Sequence, residues 1–109
     1  MKIFLVVLFI LVFFVPVFSN PPEDITINIS DSNMEVFVQH PSENPAKHFI
    51  KSIQVSFIGM ESGKQYFSKQ DKDGQRASFS VDGLKKGDAI RIRAACSIYG
   101  VLEKEFSMP

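Results

Sequence analysis

The fold is decided by the stretch AIRIRAACSI, residues 89–98, in which two kinds of side chain alternate. The isoleucines, Ala94 and Cys96 occupy every second position, and the two arginines stand between them. Successive side chains of a β-strand point to opposite faces, so this pattern is typical of a half-buried strand. The preceding segment, residues 82–88, contains two glycines that can adopt positive φ and predicts a turn.

Four other segments show the same period of two, and nothing after residue 19 shows a sustained helical period. They are residues 25–29, 34–38, 49–57 and 77–81, and residues 65–68 and 101–106 are predicted as two further short strands. Segments 30–33, 41–47 and 59–64 predict turns or loops, and the charged run 69–74 predicts a solvated connection. Seven short strands separated by turn signals are the pattern of an immunoglobulin-like sandwich. We therefore predict an all-β, seven-stranded immunoglobulin-like β-sandwich over residues 20–109.

The alternation also assigns residues to faces of the predicted strands. The apolar series of residues 34–38 continues by one more step to His40, which is therefore expected on the buried face. In the long segment 49–57, Lys51 is expected on the same face as Ile53, and Ile50 on the opposite face.

The first 19 residues have the composition of a cleavable signal peptide. Residues 3–18 are apolar apart from Pro16, Lys2 precedes them and Ser19 follows. An uncleaved membrane anchor is the alternative, but a sixteen-residue helix spans only about 24 Å, short of the roughly 30 Å hydrocarbon core. We predict cleavage after Ser19, export to the periplasm or the medium, and no stable membrane insertion of the processed chain.

Composition limits what the exported part can do. Sixteen of the first 19 residues are apolar, which leaves 33 apolar residues among the other 90. Such a chain suffices for one domain with one modest core and is too short for a two-domain enzyme. The whole chain has 12 basic and 12 acidic residues, and the exported part, without Lys2, has 11 against 12, so charge does not favour nucleic acid or an anionic membrane as a partner.

Cys96 is the only cysteine of the chain. In an oxidising compartment structural cysteines come in pairs. An unpaired cysteine is therefore buried and inert, bridged to another molecule, or a metal ligand. The sequence contains no phosphate-binding glycine loop, HExxH pair or nucleophile elbow that would indicate another chemistry.

The predicted topology brings Cys96 close to both histidines. His40 follows the second strand and His48 precedes the third, whereas Cys96 lies near the end of the sixth. In this class of sandwich the second–third and sixth–seventh connections lie at the same end. Imidazole and thiolate groups are good ligands for zinc, copper and iron. His40, His48 and Cys96 are therefore candidate metal ligands, and solvated loop histidines are the alternative interpretation.

Several motifs resemble the iron-binding domain of the desulfoferrodoxin and superoxide reductase family. They are His40-Pro41, His48-Phe49-Ile50 with Ile53, Leu84 to Asp88, and Ala94 to Gly100. The likeness covers about residues 34–106 and agrees with the seven-stranded sandwich of that family. Members of the family hold a ferrous ion with four histidines and one cysteine thiolate, and the ion gives one electron to superoxide, which leaves as hydrogen peroxide.

The resemblance implies that His40, His48 and Cys96 hold a mononuclear non-haem iron, with the thiolate supplying electron density. The last histidine of the family falls on Tyr99, and the first has no counterpart because residues 20–39 contain no histidine. The glutamate and lysine that attend the open coordination position of the family are missing with it. Two imidazoles and a thiolate, with the Tyr99 phenol as a further candidate, also suit copper or zinc.

Three functions follow from these observations. The first is an exported desulfoferrodoxin-like iron protein that handles superoxide, or donates electrons, with an electron-donor protein as partner. The second is a metal-binding or metal-carrying module without turnover. The third is a protein-interaction module that has lost its metal and in which Cys96 is merely buried.

Overall fold

The computed structural model describes residues 20–109, which form seven β-strands and no helix. The strands are β1 (Asp24–Ser30), β2 (Asn33–Gln39), β3 (Ile50–Phe57), β4 (Met60–Tyr66), β5 (Gly74–Ser80), β6 (Ala89–Cys96) and β7 (Val101–Ser107). The predicted signal peptide, residues 1–19, lies outside the described residues. Over residues 20–109 there is consequently no helix with the length and hydropathy to cross a bilayer.

The strands form two antiparallel sheets, one in the order β1-β2-β5 and the other in the order β4-β3-β6-β7. The prediction of an all-β, seven-stranded fold is confirmed. The fourth strand pairs with β3, whereas in a constant-type immunoglobulin domain it joins the sheet of the first, second and fifth strands. The immunoglobulin-like description stays a prediction.

The core lies between the two sheets because each turns its apolar series inward. Ile25, Val36 and Ala77 of the first sheet and Ile53 and Ile92 of the second belong to one buried cluster. Full burial of an isoleucine or valine side chain contributes about 1.5–3 kcal/mol. The shared cluster therefore holds the two sheets together.

The predicted turn over residues 59–64 and the predicted short strand at 65–68 have the wrong bounds, because β4 spans Met60–Tyr66 and only Gly59 of the predicted turn lies in a turn. A two-residue turn at Ile58 and Gly59 joins β3 to β4, with φ angles of 53° and 79°. Positive φ at both positions is characteristic of a type I′ hairpin, whose twist matches that of the strands. Residues 60–65 have the polar composition of a turn because β4 is an edge strand, and much of its surface is exposed to solvent.

The predicted faces of Ile50 and Lys51 are also wrong. Ile50 is fully buried and Lys51 is exposed. The pairing of β3 with β6 joins Ile50 to Cys96 and Ser52 to Ala95, so Lys51 is one residue in excess. Such a β-bulge reverses the alternation, and here it turns Ile50 into the core beside Cys96.

Candidate metal centre

His40, His48 and Cys96 meet at one end of the sandwich, as predicted. His40 directly follows β2, His48 lies two residues before β3, and Cys96 is the last residue of β6. One potential ligand atom of each lies within 4.8 Å of those of the other two. The exposed fractions of the three residues are 0%, 7% and 5%. Their convergence is confirmed, and their role as metal ligands stays a prediction.

Two serines hold His48 in place. The Ser97 hydroxyl donates to the Lys47 carbonyl at 3.1 Å and accepts from the Phe49 amide at 3.1 Å, so it binds the chain on both sides of His48. The Ser42 hydroxyl donates to the carbonyl of His48 itself at 2.6 Å. Because Ser97 follows Cys96 directly, this arrangement ties the His48 loop to the end of β6.

Gln70 holds His40 in place and determines which of its two ring nitrogens is unprotonated. Its Oε1 accepts from the Ile50 amide at 2.8 Å, and its Nε2 donates to the carbonyls of His40 and Asp71. The same Oε1 lies 2.8 Å from His40 Nδ1. Because this oxygen is an acceptor, His40 Nδ1 carries a proton and donates it. In the neutral ring Nε2 is then unprotonated, and its lone pair can bind a metal.

The predicted solvated connection over residues 69–74 is confirmed for its charged residues, which are exposed, but not for Gln70, which is only 7% exposed. The surrounding charged residues suggested solvent, and nothing local to the sequence indicates that this side chain turns inward. Gln70, Ser42 and Ser97 were all missed as site residues. Their roles are recognised only from their contacts in the folded chain. Gln70 and Ser97 contact segments that are distant in sequence, and Ser42 contacts His48 within the same loop.

Cys96 lies at a sharp change in chain direction. The predicted strand over residues 89–98 ends at Cys96, and the Cys96 amide donates across the following turn to the Gly100 carbonyl at 3.0 Å. Ile98, expected on the buried face, is therefore 58% exposed. Its amide lies 3.5 Å from Cys96 Sγ and donates to the sulfur. Such a bond stabilises a thiolate, the form that binds metals.

The side chains of Tyr99 and Lys47 do not belong to the group formed by His40, His48 and Cys96. Tyr99, which occupies the position of the last histidine of the family pattern, is 64% exposed, and this exposure does not support a phenol ligand. Lys47 lies beside His48 and takes part through its carbonyl.

The main-chain carbonyl of Asn20 also faces the centre. Its oxygen lies 2.9 Å from His40 Nε2 and 3.2 Å from His48 Nε2. The two imidazole rings stand edge to face, with 4.6 Å between their centroids. The sequence pattern gives no sign of this contact, because a main-chain carbonyl carries no residue-type signal.

An open cleft of about 740 Å³ lies beside His48 and Asn20. Its charged lining residues are Glu23, Glu43, Asp73 and Lys72. Three carboxylates and one ammonium make the lining acidic. Acidic walls raise the local concentration of cations and lower that of anions.

The donor set is of a kind that can hold a transition-metal ion. Two imidazoles and a thiol converge in a buried pocket, the tautomer of His40 leaves Nε2 free, and an amide N–H supports the sulfur. A hydrogen bond from the second nitrogen of a ligating histidine to a fixed acceptor is the usual support of such a ligand. Gln70 supplies this acceptor.

The sequence was compared with known protein families. A family profile described as Desulfoferrodoxin matches residues 15–105 of the chain. A search of curated proteins gives no significant match.

Solved structures share the fold. The superoxide reductase (1Fe-SOR) from Giardia intestinalis is 22% identical with a TM-score of 0.65, over 82% of this chain and 100% of that one. A hypothetical protein from Pyrococcus horikoshii OT3 is 23% identical with a TM-score of 0.57, over 85% and 91%. The superoxide reductase from Nanoarchaeum equitans is 14% identical with a TM-score of 0.55, over 83% and 93%.

Proposed function

Because this chain belongs to the desulfoferrodoxin family, we propose that it binds a mononuclear non-haem iron ion through His40, His48 and Cys96. The observation that carries the proposal is the convergence of these three side chains, buried and with their potential ligand atoms within 4.8 Å of one another. They come from three separate parts of the chain. A merely inert cysteine would not require both histidines of the chain at its side.

Iron is favoured over copper and zinc by the family and by the 1Fe designation of the superoxide reductase from Giardia intestinalis. The donor set itself also suits copper or zinc. Metal preference is therefore part of the test below.

The reaction that this proposal carries over is the one-electron reduction of superoxide. Iron(II) held by these residues would supply one electron to superoxide, which with two protons would give hydrogen peroxide. An electron-donor protein must then return the electron. The chain contributes the Cys96 thiolate, supported by the Ile98 amide, and the two imidazoles, held by Gln70 and by the serines around His48.

The acidic cleft favours a second function, that of a metal-binding or metal-carrying module without turnover. Superoxide is an anion, and a lining of Glu23, Glu43 and Asp73 with a single lysine slows its approach. The same lining attracts metal cations.

Anaerobic titration of the metal-free protein with iron(II), copper and zinc tests the metal site. We expect iron(II) to bind with a Kd below about 1 μM, which corresponds to roughly 8 kcal/mol. Cys96→Ser should weaken iron binding by more than about 100-fold, because losing a ligand costs more than the 10–100-fold of an outer partner. The control Tyr99→Phe should leave the affinity unchanged. If Cys96→Ser binds iron as tightly as the parent protein, the proposal is wrong.

Superoxide consumption by the iron-loaded protein then separates the two functions. Stoichiometric oxidation of the iron with release of hydrogen peroxide supports the reductase. Transfer of iron to a competing chelator without superoxide consumption supports the carrier.

We also propose that the protein is exported after cleavage following Ser19. The apolar run of residues 3–18 between Lys2 and Ser19 supports this proposal. Mass spectrometry of the protein from its native compartment should find Asn20 as the first residue. Recovery of the chain with residues 1–19 attached would contradict it.

A further inference from the structure

The contact of the Asn20 carbonyl with two histidines needs a physical explanation. Both Nε2 atoms lie at hydrogen-bond distance from one main-chain oxygen, at 2.9 Å and 3.2 Å. A carbonyl oxygen only accepts hydrogen bonds, so both contacts require a proton on Nε2 unless a cation lies between the atoms.

For His40 the hydrogen-bond explanation does not fit the tautomer. Its Nδ1 already donates to Gln70 Oε1, whose orientation is set by the Ile50 amide. In the neutral tautomer that this bond selects, the lone pairs of Nε2 and of the Asn20 oxygen face each other, and a shared metal ion turns that repulsion into attraction.

The distances correspond to two ligands of one ion. Nitrogen and oxygen ligands lie about 2.0–2.2 Å from such a metal, so neighbouring ligands are about 3.0 Å apart at right angles and about 3.4 Å apart in a tetrahedron. The Asn20 oxygen lies 2.9 Å and 3.2 Å from the two nitrogens. It therefore has the position of a further ligand, and it is too far from either nitrogen to occupy the place of the ion.

We propose that the main-chain carbonyl of Asn20 is a fourth ligand of the metal held by His40, His48 and Cys96. This inference rests on the proposed metal-binding function. The Asn20 carbonyl would replace one of the two histidine ligands that this chain lacks relative to the family pattern. The new ligand is a neutral oxygen from the N-terminal segment.

The segment that carries this carbonyl is rigid and anchored. Pro21 and Pro22 fix their own φ angles and restrict the residue before each of them. Pro22 is buried, the Glu23 amide donates to the Gln39 carbonyl at 2.8 Å, and the Asn20 side-chain amide donates to the Pro41 carbonyl at 3.3 Å. The oxygen is therefore held over the site at little further entropic cost.

Gly100 makes room for this segment. A Cβ added to Gly100 would lie 2.4 Å from Pro21 Cβ, and the residue has a φ of +97°. Only glycine combines that backbone conformation with so close an approach. The turn after Cys96 and the segment before β1 are thus fitted to each other directly beside the centre.

Isotope labelling tests the ligand directly. The chain has four asparagines, at positions 20, 28, 33 and 44. In iron-loaded protein with ¹³C at the main-chain carbonyl of asparagine, we expect a ¹³C hyperfine coupling in the electron–nuclear double resonance spectrum of the ferric state. Asn20→Ala keeps the carbonyl oxygen but removes the label, so it should abolish the coupling while iron(II) affinity changes less than about threefold, the effect of losing one exposed hydrogen bond.

Asn44→Ala is the matched control. The Asn44 carbonyl accepts from the His48 amide at 2.8 Å, so this position is near the site without being a proposed ligand. The coupling should survive in this variant. Its loss in Asn44→Ala, with retention in Asn20→Ala, would overturn the assignment.

A second variant tests the rigidity of the segment. Replacing Pro21 and Pro22 together by glycine keeps the carbonyl but frees the backbone, and should weaken iron(II) binding about tenfold. Iron binding that depends on Cys96 but shows no coupling from Asn20 and no effect of the double substitution overturns this inference alone. A protein that binds no iron overturns the proposed function as well.

Discussion

Gln70 is the residue whose side chain does most to define the candidate centre. All the hydrogen-bonding groups of its amide have partners: Oε1 accepts from the Ile50 amide and from His40 Nδ1, and Nε2 donates to two carbonyls. The backbone partners determine which way the amide points, and the amide in turn determines the tautomer of His40. A buried amide with every group satisfied can act as such an orienting element.

Gln70→Ala should therefore impair both stability and metal binding. It leaves the Ile50 amide and the His40 carbonyl without partners, and each unsatisfied buried group costs about 1–3 kcal/mol. Loss of the acceptor behind a ligating histidine typically weakens metal binding 10–100-fold. Urea unfolding and iron(II) titration measure the two effects.

Gln65→Ala is the control, because Gln65 lies on β4 and its amide donates to the Ser78 carbonyl at an exposed position. It should change neither quantity by much. Equal effects of the two substitutions would mean that Gln70 does not orient His40.

At the scale of elements, the β3–β4 hairpin contains a strained residue. Ile58 has a φ of 53° and is 63% exposed. The left-handed region costs a residue with a Cβ about 1–2 kcal/mol, and β-branched side chains are especially unsuited to it. Type I′ hairpins prefer Asn-Gly at their two central positions, and Gly59 already occupies the second.

Ile58→Asn should therefore stabilise the protein by about 1 kcal/mol, because asparagine tolerates positive φ. Urea unfolding of the two proteins measures the difference. Ile98→Asn makes the same chemical change at an isoleucine that is 58% exposed and lacks positive φ, so it should not stabilise. A gain in both variants would point to reduced exposed apolar surface as the cause.

At the scale of the whole molecule, the two sheets are joined by the shared core and by an ion pair at one edge. Lys104 of β7 lies with its Nζ 2.8 Å from Asp24 Oδ1 of β1 and also donates to the Ile25 carbonyl at 3.2 Å. The hydrogen bond from Lys104, followed by that from the Ile25 amide, lowers the pKa of Asp24 below its ordinary value of 3.8. The ionised carboxylate is thus favoured in the folded state.

This pKa shift predicts the pH dependence of an Asp24→Asn variant. A lowered pKa contributes stability that is fully present above pH 3.8 and is lost as the pH falls through the lower, folded-state pKa. The variant should be less stable than the parent protein at neutral pH, by a modest amount since both side chains are partly exposed. Urea unfolding at several pH values should show the gap shrinking in acid.

Asp82→Asn, at an exposed position without an ion pair among residues 20–109, is the control. It should show no such pH-dependent gap. A gap for Asp24→Asn that stays constant down to pH 2 would contradict the role of the Lys104 pair.

Some features follow from local sequence alone, and others depend on neighbours that local sequence does not reveal. The period of two in residues 89–96 predicts a strand because side-chain alternation is a property of the extended backbone itself. The bulge at Lys51 and the hairpin at Ile58 were missed, since each depends on pairing between strands. Polar residues of β4 look like a turn because an edge strand does not need a continuous apolar face.

By itself, the sequence determined an all-β fold with seven strands and the meeting of His40, His48 and Cys96. Those predictions needed only the alternation of side chains and the order of the strands, which places the two connections at one end. The tertiary structure decided how the centre is completed. Gln70 meets His40 across 30 residues through its side-chain amide, and Asn20 meets His48 across 28 residues through its main-chain carbonyl. Side-chain amides and main-chain carbonyls occur throughout any chain, so only the folded arrangement shows which of them contact the histidines of the centre.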